Sequence, residues 1–169
     1  MTIVDQITGR EKPTSLVAAS GGKGGIYGVW VDRGTSTRSV TGAPLLGGIT
    51  LDPLVQGPLV TDVIAVDPDD HTAVYYATND GKAGTLFKVG SGVVGSVDGP
   101  IVAIAARGSH VFALTSDFGN PKLGRLVRYD LPGLARTVLA TGVDTPTALA
   151  VDSAYAYFTT ATAVLRVAR

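Results

Sequence analysis

The stretch TPTALAVDSAYAYFTTATAVLRVAR, residues 145–169, decides the fold. Its apolar and β-branched runs, separated by turn residues, read as strands at residues 148–151, 156–159 and 164–167, and no fourth run follows. Three strands leave an open sheet edge, so a partner strand is to be sought elsewhere in the chain.

The same order of features recurs upstream. First strands read SLVAAS (15–20), DVIAVD (62–67), VAIAAR (102–107) and TALAVD (147–152). Second strands, richer in aromatic and β-branched residues, read IYGVWVD (26–32), VYYATND (74–80), VFALTSD (111–117) and AYFTTAT (156–162). Third strands are marked by a basic residue, Arg38, Lys88, Arg128 and Arg166, which the alignment sets in one register. Fourth strands read GITLDPL (48–54), GVVGSVD (92–98) and ARTVLATG (135–142), and the last unit lacks one. With Val17, Ile64, Ile104 and Leu149 as anchors, the spacings are 47, 40 and 45 residues, and 37 residues remain across the termini.

A repeated antiparallel unit of this length is the blade of a β-propeller. The expectation is an all-β single domain over residues 1–169, with blades at about 13–59, 60–99, 100–144 and 145–169, the last completed by residues 1–12. The N-terminal TIVDQITG (2–9) precedes its first strand much as TVLATGV precedes the last one, and is expected to pair with residues 164–167 as a clasp. Deleting it should expose that edge and cause aggregation.

Composition excludes several classes. Lys plus Arg and Asp plus Glu number 14 each, so no global field favours nucleic acid or an anionic membrane. Hydrophobic residues reach 45%, yet no apolar run has the length of a membrane span, and the first dozen residues carry no signal peptide, so a soluble protein is expected, with its compartment open. The absence of cysteine removes disulfides, thiolate catalysis and thiolate metal sites. GGKGG (21–25) lacks phosphate-loop spacing, and no G-x-S-x-G elbow appears.

Units of the form P-x-x-L/I-A-V-D-x-x-x-Y, followed by a strand ending in a basic residue and by T-x-L-A-T-G, resemble the NHL-like and six-bladed lactonase-like propeller repeats, most clearly in PTALAVDSAYAYFTTATAVLRVAR and ARTVLATGVDT. The resemblance implies a propeller that either only binds or hydrolyses lactones around a calcium ion held by a Glu, Asn and Asp set near the axis. The chain departs from that pattern twice: it has four units rather than six, and its only glutamate is Glu11, which lies on no inner strand. Four units can close as a compact monomer or as a head-to-tail homodimer with eight blades, the latter being favoured.

On a propeller frame one rim gathers Asp62, Asp98 and Asp144 in fourth-to-first connections and Asp32, Asp80 and Asp117 at the ends of second strands. The last three are expected at equivalent positions, where they could converge on a divalent cation such as calcium, with Asn79, Ser116 and Asn120 adding neutral oxygens. Asp and Asn also close turns through their own backbone, and repeats duplicate turn residues. Trp30 either stacks on a ligand at this rim or packs between blades. At the opposite rim, Asp67, Asp69, Asp70 and His71 form one first-to-second strand loop and His110 enters the next, a second candidate cluster whose spacing is equally that of a polar turn. Two functions follow: a scaffold that binds a small molecule, glycan or protein through rim residues such as Trp30, Asn79, Asp62, Asp98 and Asp144, or a metal-dependent hydrolase of a lactone, ester or phosphotriester using a metal-bound water. A third reading is a fragment or engineered subset of a longer propeller.

Overall fold

A computed structural model describes residues 13–21, 25–33, 38–44, 53–70, 72–117 and 119–169. Among the described residues, fifteen strands build four antiparallel sheets in which consecutive strands are neighbours. Sheet 1 holds β1 (Pro13–Gly21), β2 (Gly25–Arg33), β3 (Arg38–Pro44) and β4 (Pro53–Gly57). Sheet 2 holds β5 (Val60–Val66), β6 (Val74–Asn79), β7 (Ala83–Lys88) and β8 (Gly92–Asp98). Sheet 3 holds β9 (Ile101–Arg107), β10 (His110–Thr115), β11 (Gly124–Asp130) and β12 (Ala135–Val143). Sheet 4 holds β13 (Leu149–Val151), β14 (Tyr155–Thr159) and β15 (Val164–Ala168). A 3-10 turn at Pro121–Leu123 is the one helical element among the described residues.

The first strands β1, β5, β9 and β13 lie side by side in that order and form the inner side of an arc. Among the described residues, β13 does not lie against β1 as consecutive first strands lie against each other. Central strands of sheets 2 and 3 are apolar on both faces because each of these sheets is sandwiched between two others. In β10, Val111 and Ala113 pack back onto sheet 2, with Tyr75, Ala77 and Leu86, whereas Phe112 and Leu114 pack forward onto sheet 4, with Ala156 and Phe158. Sheets 1 and 2 meet through Val29, Val31 and Val40 against Ile64, Val66 and Val74. Fully burying one such side chain stabilises by about 1.5–3 kcal/mol, so these three seams hold the arc.

Glycine lets neighbouring sheets approach closely. Gly95 in β8 has no side chain because the Tyr129 ring of sheet 3 occupies that space, and Tyr129 donates a hydrogen bond to the Ser96 carbonyl at 2.9 Å. Gly99 sits at φ +87° in the crossover from β8 to β9, directly against the Ser116 carbonyl, where neither a side chain nor an ordinary backbone angle would fit.

The third-strand register differs from the sequence reading at one position. Lys88, Arg128 and Arg166 face Tyr75, Phe112 and Tyr157 across their strands, but Arg38 starts β3 opposite Arg33 and bonds the Val60 carbonyl at 3.1 Å. The N-terminal clasp, residues 1–12, lies outside the described residues.

Candidate functional site

Antiparallel pairing sends the second-to-third and fourth-to-first connections to one rim, termed upper, and the first-to-second connections to the lower one. At the upper end, first strands carry bulges: the register shifts between Thr14 and Val17 in β1, between Val60 and Ile64 in β5, and opposite Leu114 and Thr115 in β9. Bulges bend a strand and re-aim its side chains. Asp62 lies in the β5 bulge, half-buried, and so belongs to an inner strand rather than to the fourth-to-first connection expected for it. Asp98 ends β8, with its carboxylate exposed and 3.5 Å from Arg125 of sheet 3. Asp144 follows β12 and accepts a 2.8 Å bond from the Thr145 hydroxyl.

Asp32, Asp80 and Asp117 are not equivalent. Asp32 pairs with Ser39 inside the β2–β3 ladder and is 7% exposed, its carboxylate accepting from Trp30 Nε1 at 3.1 Å and from the Thr41 hydroxyl at 2.9 Å. Asp80 lies in the β6–β7 turn, accepting from the amides of Ala83 and Lys82 at 2.8 and 2.9 Å, and these bonds hold its pKa below the usual carboxylate value. Asp117 likewise accepts from the amides of Gly119 and Asn120 at 2.8 and 3.0 Å. Asn79 works as a clamp: its side chain accepts from the Ile101 amide at 3.0 Å and donates to the Ile101 carbonyl at 3.3 Å, tying sheet 2 to the first strand of sheet 3. Trp30 is buried at 4% exposure and packs within the molecule rather than standing at the rim. Among the described residues, no three of His, Cys, Asp and Glu come together as a group that could hold a metal ion.

The lower rim arranges its charges differently from the sequence reading. Asp67 is buried and accepts from the Asp69 amide at 2.9 Å, while Asp70 accepts from the Thr72 amide and hydroxyl at 3.0 and 2.6 Å, so the loop is a pair of Asx turns. His71 lies outside the described residues. His110 does not join these carboxylates: it turns to the other side of sheet 3, where Nδ1 stands 2.9 Å from Asp130 Oδ1. Arg128 shares that carboxylate through Nη2 at 3.2 Å and through a poorly aligned Nε ion pair at 2.7 Å. Arg128 first, and then His110, hold the Asp130 carboxyl below its ordinary pKa. What meets the acidic loop is Arg107, 3.4 Å from Asp69. In sheet 4 the amides of Ala154 and Tyr155, then the Tyr157 hydroxyl and last the Arg107 charge, hold the Asp152 carboxyl below its ordinary pKa. Burial pushes the Tyr75 hydroxyl up to about 12, with Asp67 and Asp70 adding to the shift.

Sequence reasoning missed Arg107, Asp130 and Asp152. A signal existed for two of them, since Asp67, Arg107 and Asp152 end the aligned segments DVIAVD, VAIAAR and TALAVD, placing an arginine between two acids around the inner strands.

No protein-family model matches the chain, and no curated protein matches it in sequence. Solved structures do. A neuraminidase-like protein of a bat isolate from Guatemala superposes with a TM-score of 0.59 at 11% identity, over 89% of this chain and 48% of that one. The neuraminidase-like protein of a little yellow-shouldered bat isolate from Guatemala gives 0.58 at 12%, over 89% and 51%. That of a flat-faced bat isolate from Peru gives 0.55 at 12%, over 89% and 46%. The fold is that of a β-propeller. The chain spans about half the length of these structures, and likeness at this identity speaks for architecture alone. The resemblance to NHL-like and lactonase-like blades is carried by the sequence pattern alone. No helix among the described residues is long and apolar enough to cross a membrane.

Proposed function

We propose that the chain is a non-catalytic propeller scaffold that binds a small molecule or protein at its upper rim. The observation that carries this reading is the β10–β11 connection, described at residues 116, 117 and 119–123, the longest on that rim among the described residues. It is pinned at its base, where the Ser116 amide donates to the Pro100 carbonyl at 3.0 Å, and it presents an exposed Leu123 beside an exposed Lys122. An exposed apolar side chain held where a pinned connection enters its strand is a natural recognition contact. Asp98 with Arg125 and Asp144 flank it as polar contacts.

A cation at Asp32, Asp80 and Asp117, the centre of the hydrolase reading, would have to displace hydrogen bonds that each carboxylate already accepts. In this reading residues 2–9 complete sheet 4 by pairing along β15. The test has two parts. Chelator should leave the melting temperature unchanged, and lactone, ester and phosphotriester substrates should not be turned over; a chelator-sensitive hydrolysis overturns the proposal. A screen against immobilised glycans and peptides should return a ligand whose retention is lost in Leu123→Asp and kept in an Arg136→Glu control.

A further inference from the structure

We propose that the forward side of sheet 4, the side pointing away from sheet 3, docks a second copy of this chain, sheet on sheet about a twofold axis. The argument starts from a repeated surface module. In three sheets the forward side sets an aromatic residue opposite a basic one: Tyr75 with Lys88, Phe112 with Arg128, and Tyr157 with Arg166. In sheets 2 and 3 the next sheet covers this side and sets an arginine against it. Arg107 reaches Asp69, and Arg169 sets its guanidinium carbon 5.9 Å from the Phe112 ring while Nη1 donates to the Asp152 carbonyl at 2.6 Å. Among the described residues the sheet 4 module has the same parts and no covering sheet: Val164 is 72% exposed, Arg166 is exposed, and Tyr155 and Tyr157 are half-exposed.

The chemistry of that surface is self-complementary. Arg166 lies over the Tyr155 ring with its guanidinium carbon at 4.6 Å from the ring centre, and the Tyr157 hydroxyl donates to Asp152 Oδ2 at 2.7 Å. Tyrosine and arginine are the residue types that dominate binding energy at protein interfaces, and one surface holding both Arg166 and Asp152 can offer each charge its opposite across a twofold axis. The far end of the arc does not offer the same opportunity, because Trp30, Asp32 and Thr41 are already buried within a single chain. At these three positions a head-to-tail contact would find the side chains already enclosed.

Pairing through the β15 edge is also disfavoured. The bonds Thr160 N to Ala163 O and Arg169 N to Ala154 O set the alternation that turns the backbone of Val164, Arg166 and Ala168 outward. A twofold edge contact centred on this strand would place Arg166 opposite its own copy. The face, rather than the edge, is the docking surface.

The inference is independent of rim binding, and solution mass tests it. Light scattering of the full chain across micromolar concentrations should give two chains, and Arg166→Glu or Val164→Asp should each raise the dissociation constant about tenfold or more. Arg136→Glu, on the outer strand β12, should change nothing. A single-chain mass for the wild type at every concentration overturns the proposal. So does a dimer indifferent to both substitutions, or a mass that climbs beyond two chains, which signals head-to-tail growth. If Arg166→Glu melts early, the highly exposed Val164→Asp decides.

Discussion

Sheets 3 and 4 carry matching strand patterns on their forward sides and meet different environments. In sheet 3, Phe112, Leu114 and Leu126 are fully buried against sheet 4. At the same register in sheet 4 stand Tyr157, Thr159 and Val164, half-exposed or exposed. Position in the repeat is the same, but residue choice follows what covers it: aliphatic side chains where a sheet lies on top, and tyrosine, threonine and arginine where water does. The unit of stability in this molecule is thus the seam between sheets more than the sheet itself.

The strongest way to break this comparison is to truncate both sides of it. Leu114→Ala or Leu126→Ala should cost about 2–5 kcal/mol in urea unfolding, because each leaves a cavity in the seam. The register-equivalent Val164→Ala should stay within about 0.5 kcal/mol. Equal losses would mean that sheet 4 is as enclosed as sheet 3.

Next in size comes overfilling. Gly95→Ala would drive a methyl group into the Tyr129 ring and wedge sheets 2 and 3 apart, a loss of about 1–3 kcal/mol. Gly133, with open space around its Cβ position, should accept alanine without loss. Indifference at Gly95 would show that the seam between sheets 2 and 3 is looser than that between sheets 3 and 4.

A titration sharpens the same contrast. Tyr75 has a folded pKa of about 12 against an ordinary 10.0, so the unfolded chain loses its proton first and stability is expected to fall as pH rises through that window. Tyr75→Phe should flatten this alkaline loss, as followed by chemical unfolding at stepped pH.

The smallest effect lies on the acid side. Asp80, Asp130 and Asp152 have depressed pKa values, so their contribution is complete above the ordinary carboxylate range and is lost as pH falls through the folded values. Asp130→Asn should remove part of the acid slope, and an unchanged slope would mean that the contacts of Arg128 and His110 add no stability.

The division into four antiparallel sheets was legible because each repeat announces itself twice, by a small apolar first strand, reading I-A-V-D or L-A-V-D in two of the four, and by an aromatic second strand. The basic register was legible where the residue stands opposite an aromatic, at Lys88, Arg128 and Arg166, and misleading at Arg38, which begins its strand opposite Arg33. The carboxylates were harder. Asp32, Asp80 and Asp117 look alike in sequence because each ends a second-strand motif, yet one is a ladder residue bonded to Trp30 and two close turns. A one- or two-residue slip is invisible in a motif and decisive in a strand, where it changes the face on which a side chain stands.

By itself the sequence determined the class of structure, because the two-residue period, the turn residues and the repeat length are local properties that survive without knowledge of partners. Only the tertiary structure decided which charges meet. Arg107 reaches Asp69 in the preceding sheet, and His110 turns from the acidic loop to Asp130. Those pairings depend on how sheets stack around the inner strands, and stacking joins residues far apart in the chain, where no local pattern specifies distance.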